Sequence, residues 1–307
     1  MEINNKIIQQ NNVSGLYFSW IPKTGKFIKL RFTDFQKLTG AIKYIGLSSP
    51  LTKFWIINLL VYSFVYPITR IVLGKKISCK ICSYFVKTPS PPGIFSFPYL
   101  MKSRIALRKN VDWGVFIEVH ISDAYYKDTL KEGMNVIDIG AHIGAYTILA
   151  SEKVGNTGKV IAIEPEPQNY QRLLENVIIN NFKNVVLKKT ALSDHNGLER
   201  LYISPSSVRH SLLPQEGKIT SIEVIVKTLD ILLEELHIKK VDIIKIDVEG
   251  AEIEVIKGAK ETLQNNPDAK IIVASYHYPG EVKEVQDFLH NMGFKTKVSP
   301  FDIVTTK

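Results

Sequence analysis

Residues 135–146 read NVIDIGAHIGAY, and this stretch decides the fold class. A short apolar run ends at Gly140, a second glycine follows at Gly144, and a helical pattern begins at Ala145. A strand, a glycine turn and a helix in this order present backbone N–H groups and the positive end of a helix to a ligand. The stretch therefore predicts a ligand loop at the carboxyl edge of an α/β sheet, with an ordinary strand-to-helix turn as the alternative.

The spacing within this loop indicates the kind of ligand. A dinucleotide fingerprint has a second glycine two residues after the first, where the backbone approaches a pyrophosphate. His142 occupies that position here, which disfavours a nicotinamide oxidoreductase. The pattern runs from Asp138 through Gly140 to Gly144, and it suits a cofactor without a pyrophosphate, such as S-adenosylmethionine.

Strands and helices alternate along the rest of the chain. Strands are predicted at 103–107, 115–121, 159–163, 184–189, 241–246 and 270–275, with final strands near 294–298 and 303–306. Helices are predicted at about 168–180, 229–237, 251–263 and 281–292, and a β-hairpin at 198–204 and 219–226. This alternation predicts a doubly wound α/β fold, with a Rossmann-like, mostly parallel sheet that ends in an antiparallel strand.

Charge is distributed unevenly along the 307 residues. Residues 1–110 contain 17 basic and 2 acidic residues, a net charge of +15, whereas the remainder contains 22 basic and 28 acidic residues, a net charge of −6. A proline-rich stretch at 89–98, PSPPGIFSFP, is typical of a linker. We therefore expect a basic accessory region over 1–95 and an α/β domain over 96–307.

An apolar segment interrupts the basic region at 54–73, FWIINLLVYSFVYPITRIVL. Its length approaches the roughly 20 residues that cross a bilayer, but Pro67 and Arg70 interrupt it. A buried helix, an interfacial helix on an anionic membrane and a spanning helix all stay open. We expect a cytoplasmic protein, associated with a membrane if the segment is interfacial.

Polar residues follow each predicted strand, where open α/β sheets bind ligands. Glu164 comes 24 residues after Gly140 and suits the ribose hydroxyls of an adenosyl group, and Asp194 suits its adenine side. Asp247 and His277 follow the next two strands. Each also has a structural reading, as a helix cap, a turn residue, an ion pair or a satisfied loop histidine.

Lys245 and Asp247 are two residues apart in a strand, so their side chains share one face. They form either a structural ion pair or a catalytic pair that orients the substrate and helps a hydroxyl lose its proton. No motif requires a metal, and we predict none, although Asp247, Glu249 and His277 offer oxygen and nitrogen ligands. The polar loop SPSSVRHSLLPQEGK contains Arg209 and His210, which are either solvated or clamp an acceptor.

The runs DIGAHIGAYT, EPEPQNYQRLLENV, TALSD and KIDVEGAEIEVIKGA resemble the FkbM-type S-adenosylmethionine-dependent methyltransferases. The resemblance covers the chain from about Ser103 onward. It implies cofactor contacts from Asp138, Gly140, His142, Gly144, Glu164 and Asp194. It also implies an active-site floor at Asp247 and Glu249, although the family more often has Asn at the position of His142.

The residues and the resemblance together predict a methyltransferase with S-adenosylmethionine as cofactor. The predicted reaction is O-methylation of a hydroxyl on a sugar, a glycan or a lipid-linked glycan. The basic region also suits RNA, so an RNA methyltransferase is the nearest enzyme alternative, although no RNA-binding motif interrupts that region. A non-catalytic, membrane-associated module is the other alternative.

Overall fold

The computed structural model divides the chain into two compact units, Met1–Thr88 and Pro89–Lys307. The structure describes residues 19–20, 27–28, 93–96, 102–108, 112–120, 125–204, 210–213, 220–298 and 302–306. In the first unit it describes one antiparallel pair, β1 (Ser19–Trp20) and β2 (Phe27–Ile28). The apolar segment at 54–73 lies outside the described residues, and among those described no helix has the length and apolarity to cross a membrane.

A seven-stranded sheet forms the centre of the second unit. Its strands are β5 (Asn135–Ile139), β6 (Lys159–Ile163), β7 (Val185–Lys188), β11 (Ile243–Ile246), β12 (Lys270–Ala274), β13 (Lys295–Val298) and β14 (Asp302–Thr306). The strand order is β13-β14-β12-β11-β5-β6-β7. Strands β12, β11, β5, β6 and β7 are parallel, and β14 pairs antiparallel with both β12 and β13. The predicted doubly wound sheet with an antiparallel final strand is confirmed.

Helices accompany this sheet along the chain. They are α1 (Asp112–His120), α2 (Ala145–Val154), α3 (Pro167–Ile179), α4 (Leu229–Glu235), α5 (Glu252–Lys257), α6 (Lys260–Asn265) and α7 (Glu281–Asn291). A short 3-10 helix covers Lys127–Thr129. Parallel strands are buried on both faces by such helices, which explains their continuous apolar sequences. Ile137, Ile161 and Ile271, on three neighbouring strands, are accordingly shielded from solvent.

The chain order of the strands reverses between β5 and β11. From β5 the sheet continues through β6 and β7 to one side, and from β11 through β12 to the other. Open α/β sheets bind ligands in the crevice at such a switch point, outside the carboxyl ends of the strands. The loops that follow β5 and β11 are therefore expected to line the ligand site.

Two smaller sheets flank the central one. Strands β8 (Ala191–Leu192), β9 (Gly197–Ile203) and β10 (Thr220–Lys227) form one sheet, in which β9 and β10 are the predicted hairpin. Strand β3 (Gly93–Ser96) pairs antiparallel with β4 (Arg104–Leu107). Part of the stretch interpreted as a linker is thus an edge strand in the second unit, where flanking prolines are tolerated.

The predicted strand at 115–121 is wrong, because this stretch belongs to helix α1. Its β-branched and aromatic residues favour a strand when read locally. In the structure Phe116, Val119 and His120 are buried together, at the spacing of one helical face. Tertiary packing therefore overrides the local propensity.

The single helix predicted at 251–263 is also wrong, since two short helices occupy it. Helix α5 ends at Lys257, and α6 begins at Lys260 after Gly258. A Cβ atom at Gly258 would lie 2.0 Å from the carbonyl oxygen of Ser193, so the two backbones meet closely here. The Asp230 carboxylate then accepts hydrogen bonds from the backbone of Glu261 and Thr262, which starts the new helix.

Candidate active site

The loop between β5 and α2 adopts a conformation that depends on its glycines. Gly140, His142 and Gly144 all have positive φ, of 73°, 52° and 86°. A Cβ atom at Gly140 would lie 1.8 Å from the backbone oxygen of Asp247, so this loop touches the one after β11. At Gly144 a Cβ atom would lie 2.5 Å from Leu173 Cδ1. The loop therefore packs so closely against Asp247 and Leu173 that a larger residue at either glycine would clash.

Glu164, at the end of β6, fixes this loop from the neighbouring strand. Its carboxylate accepts hydrogen bonds from the backbone N–H groups of His142 (2.8 Å) and Glu166 (3.0 Å). Burial raises the pKa of Glu164 from its usual 4.5 to about 7. The side chain retains lone pairs for further donors, because a carboxylate accepts about four hydrogen bonds.

A buried ion pair lies beneath the loop. Lys245 Nζ is 3.2 Å from Asp138 Oδ1 and donates a hydrogen bond to the Gly140 carbonyl oxygen at 2.7 Å. Thr147 donates to the other Asp138 oxygen at 2.6 Å. Burial alone would lower the pKa of Lys245, but the charges of Asp138 and Asp247 raise it above its usual value. Lys245 is therefore a permanent cation that holds β5, β11 and the loop together.

Asp247 stands at the end of β11 with one oxygen engaged. Its Oδ2 accepts a hydrogen bond from the Tyr125 hydroxyl at 2.8 Å and lies 3.8 Å from Lys245 Nζ. Burial, followed by the charge of Asp247, raises the pKa of Tyr125 well above its usual value, so the phenol remains a donor. Asp247 Oδ1 is buried and has no hydrogen-bond partner among the described residues.

His277, in the loop after β12, lies among four carboxylates. Its Nε2 is 3.8 Å from both Asp247 Oδ1 and Glu249 Oε2. Its Nδ1 is 3.2 Å from Glu281 Oε1 and 3.4 Å from Glu252 Oε1. Burial alone would lower the pKa of His277, but hydrogen bonds to Glu252 and Glu281 raise it to about 11.

Arg108 closes the other side of the glycine loop. Its guanidinium group donates to Asn169 Oδ1 at 2.7 Å, lies 3.2 Å from His142 Nε2 and pairs with Asp112 at 2.9 Å. Burial, then the charge of Arg108, lowers the pKa of His142 well below its usual value. The imidazole is therefore neutral, and the arginine orients it.

Of the two residues interpreted as an acceptor clamp, the structure describes one. Arg209 lies outside the described residues. His210 Nδ1 accepts a hydrogen bond from the backbone of Ser204, and the hydroxyl of the next residue, Ser211, donates to the Glu249 carbonyl oxygen at 2.8 Å. Ser211, between β9 and β10, therefore contacts the turn after β11.

Asp194 is the predicted site residue that the structure does not bring to the glycine loop. Its carboxylate is exposed and lies 2.9 Å from His195 Nδ1. Its backbone packs beside Gly258, between α5 and α6. In the part of the chain that the structure describes, no hydrogen bond or ion pair connects it to the loop at 140–144.

Sequence reasoning missed Arg108, Tyr125, Glu252 and Glu281 as site residues. Glu252 lies within the quoted run KIDVEGAEIEVIKGA, and its proximity to Asp247 was a usable signal. Glu281 lies four residues after His277, the spacing of one helical turn. Arg108 and Tyr125 reach the site from outside these runs, and no local pattern in the sequence marks them.

A doubly wound sheet with a glycine loop and buried carboxylates at the switch point is the architecture of a Rossmann-like methyltransferase. The sequence profile of the methyltransferase FkbM domain matches residues 138–296, so the chain belongs to the FkbM methyltransferase family. It is an S-adenosylmethionine-dependent methyltransferase, and S-adenosylmethionine is its cofactor.

Similar proteins include two curated methyltransferases. Methyltransferase sdnD of Sordaria araneosa is 26% identical over 214 residues, 59% of this chain and 81% of the relative. The hexuronic acid methyltransferase AglP of Haloferax volcanii is 28% identical over 165 residues, 53% of this chain and 64% of the relative.

Among solved structures, a methyltransferase FkbM from Methylobacillus flagellatus aligns with a TM-score of 0.46 and 12% identity. The alignment covers 89% of this chain and 59% of that one. This chain therefore spans about three fifths of the length of that protein.

Proposed function

We propose that this methyltransferase methylates a hydroxyl oxygen on a sugar, a glycan or a lipid-linked glycan. The observation that carries the proposal is Asp247 Oδ1, a buried oxygen at the switch point with no hydrogen-bond partner among the described residues. Tyr125 and Lys245 engage the other oxygen of the same carboxylate. A carboxylate oxygen placed in this way accepts a hydrogen bond from a hydroxyl group of an acceptor.

The surroundings of Asp247 favour a sugar over an RNA acceptor. Glu249, Glu252 and Glu281 lie near the same site, beside His277. A phosphate backbone is held by basic groups, and an acidic floor repels it. The relative AglP is named a hexuronic acid methyltransferase, which supports a sugar acceptor for this chain.

The residues of the loop fit S-adenosylmethionine. The buried Glu164 carboxylate stands beside the loop, and after accepting two backbone N–H groups it keeps lone pairs for the ribose hydroxyls. We assign the methionine part of the cofactor to Asp138, Gly140, His142 and Gly144, and the ribose to Glu164. Asp194 is not assigned a contact, because the structure does not bring it to this loop. Bound cofactor supplies an electrophilic methyl group on a positively charged sulfur.

The protein's own residues then align the acceptor. Asp247 orients the hydroxyl and is placed to take its proton, with Glu249 and His277 beside it. Lys245 stays protonated and fixes the geometry of the loop and of Asp247. His210, in the loop between β9 and β10, is a candidate contact for the acceptor, and Arg209 stays a prediction from the sequence. Alignment of reactants supplies roughly 7–11 kcal/mol of the barrier in well-oriented reactions, so little other machinery is needed.

The test is methyl transfer from labelled S-adenosylmethionine to a panel of neutral sugars, uronic acids and lipid-linked glycans, read by mass spectrometry. Asp247→Asn should lower kcat by about 10²–10⁴-fold, the range of general acid–base contributions, with little change in cofactor affinity. Glu223→Gln, an exposed change on β10, is the matched control. Label appearing only in RNA, or unchanged turnover in Asp247→Asn, would refute the proposal.

We also propose that residues 54–73 bring the enzyme to anionic membranes, where lipid-linked acceptors lie. Support comes from the sequence alone: an apolar, aromatic run flanked by Lys53, Lys75 and Lys76 within a region of net charge +15. Apolar insertion and cationic attraction together make peripheral binding stable.

A further inference from the structure

A group of three possible ligand atoms lies beyond the hydrogen-bonded part of Asp247. Asp247 Oδ1, Glu249 Oε2 and His277 Nε2 come from the loops after β11 and β12 and all lie within 4.8 Å of one another. Two carboxylate oxygens and one imidazole nitrogen are a ligand set that divalent cations accept. An acidic cluster alone does not define a metal site, so the burial and hydrogen bonding of the His277 ring are decisive.

His277 Nε2 is a buried atom that is directed into this group and makes no hydrogen bond among the described residues. The His277 side chain is 8% exposed, and its Nε2 has no hydrogen-bond partner among the described residues. The nitrogen is 3.8 Å from each of the two carboxylate oxygens, too far for a hydrogen bond. Two ligand atoms about 2.1 Å from one ion lie about 3.0–3.4 Å apart, so a contraction of about half an ångström brings the nitrogen to ligand spacing from each oxygen.

The opposite side of the ring is held in the way that metal-binding histidines are held. Nδ1 lies 3.2 Å from Glu281 Oε1, and Glu281 Oε2 accepts a hydrogen bond from the His277 backbone at 2.7 Å. A histidine ligand usually gives its second ring N–H to a carboxylate, which fixes the tautomer and orients the ring. In His277 this arrangement directs Nε2 towards Asp247 and Glu249, and a cation that binds there displaces the proton that the surrounding carboxylates keep on this nitrogen.

The carboxylates around the ring divide into two groups. Glu252 Oε1 accepts a hydrogen bond from the Val248 backbone and Glu281 accepts one from the His277 backbone, so both carboxylates fix local structure.

The second group is Asp247 and Glu249. Asp247 uses Oδ2 for Tyr125 and Lys245, which leaves Oδ1 for another partner. Glu249 has a left-handed backbone, with φ of 59°, in the turn against which Ser211 packs.

We propose that Asp247, Glu249 and His277 bind one divalent cation with mixed oxygen and nitrogen preference, for which Mn²⁺ is the probe. The cation neutralises two carboxylates that face each other across a half-buried space. Three protein ligands leave open positions, which an acceptor hydroxyl can occupy. That catalytic use rests on the proposed function, whereas cation binding does not.

The experiment measures Mn²⁺ binding to the full chain by electron paramagnetic resonance, without cofactor or acceptor. Wild type should bind one Mn²⁺ per chain with a micromolar dissociation constant. Glu249→Gln and His277→Gln should each weaken binding at least tenfold. Glu223→Gln removes one carboxylate from an exposed position and should bind as wild type does. Circular dichroism and thermal unfolding identify any variant that fails to fold. If His277→Gln does not fold, the folded Glu249→Gln variant alone tests the site.

Failure of this proposal and failure of the proposed function are distinguishable. Absence of saturable binding of Mn²⁺, Mg²⁺ and Zn²⁺, or undiminished binding by a folded Glu249→Gln, would overturn the cation site. Full methyl transfer after chelation, together with no binding, overturns the cation site and leaves the function standing. Mn²⁺ binding that Glu249→Gln loses supports the site even if no sugar in the panel is methylated.

Discussion

Glu164 illustrates how a single buried carboxylate serves both the loop and a ligand. It accepts one backbone N–H from His142 and one from Glu166. Glu164→Gln keeps the shape of the side chain but removes its negative charge. The NH₂ group of the new amide would also face one of these two backbone donors. We expect weaker binding of S-adenosylhomocysteine by about 1–3 kcal/mol in calorimetry. Glu223→Gln is the control, and an affinity within twofold of wild type would contradict the ribose assignment.

The raised pKa of Glu164 also makes the stability of the protein depend on pH. Between pH 4.5 and about 7 the folded protein keeps a proton that the unfolded chain has released. This contribution is fully present below about pH 4.5 and is lost as the pH rises through about 7. The shift corresponds to about 3 kcal/mol.

Denaturant unfolding of wild type and Glu164→Gln across this range tests the sign. The variant lacks this titration, so only wild type loses its contribution as the pH rises. The free energy of unfolding of the variant minus that of wild type should therefore increase by up to about 3 kcal/mol between about pH 4.5 and 8. A difference between the two proteins that stays constant with pH would show that the carboxyl group is not buried in this way.

Individual site residues were predictable where they follow a strand and not elsewhere. Glu164 and Asp247 come directly after a strand and His277 comes three residues after one, and the carboxyl ends of parallel strands meet at one edge of the sheet. Arg108 and Tyr125 reach the same edge only through tertiary packing. Their partners, His142 and Asp247, are 34 and 122 residues away in sequence, so no local pattern reveals the contacts.

At the scale of elements, the glycine loop and the turn after β11 form one packed unit. Gly140→Ala adds a Cβ atom 1.8 Å from the Asp247 backbone oxygen, in a left-handed conformation. Gly293 has a similar φ of 88°, but no described atom would lie within 4 Å of its Cβ. It therefore offers a control that isolates the backbone strain from the clash.

We expect Gly293→Ala to lower the free energy of unfolding by about 1–2 kcal/mol, the cost of left-handed backbone alone. Gly140→Ala should lose about 1–3 kcal/mol more, because the backbone must shift to relieve the clash. Urea unfolding measures both, and calorimetry should also show lost cofactor affinity for Gly140→Ala alone. Equal losses in the two variants would argue against the close contact between the loops.

The elements that sequence reasoning identified are those whose apolar pattern agrees with their packing. Buried strands such as β6 and the amphipathic helix α3 were found within one or two residues. Helix α1 was missed because its local propensity favours a strand, and packing against the rest of the unit decides otherwise. The break before α6 depends on the close approach of Ser193 to Gly258, which no local sequence pattern contains.

At the scale of the whole chain, charge separates the two parts of the protein. Residues 1–110 carry a net charge of +15, and the remainder carries −6. The acidic groups around His277 belong to the second, net acidic part. A concentration of positive charge in one part of the chain suits an anionic surface.

Vesicle flotation of the full chain tests whether that surface is a membrane. Each basic residue near an anionic surface adds about 1 kcal/mol, and apolar side chains from 54–73 add to it by insertion. The chain should float with anionic vesicles, much less with neutral ones, and less at high salt because screening weakens the cationic term. Replacing Lys75 and Lys76 by glutamate should reduce flotation without changing cofactor affinity. If the chain ignores anionic vesicles at low salt, the segment at 54–73 is not a membrane contact, and the basic charge requires a soluble anionic partner instead.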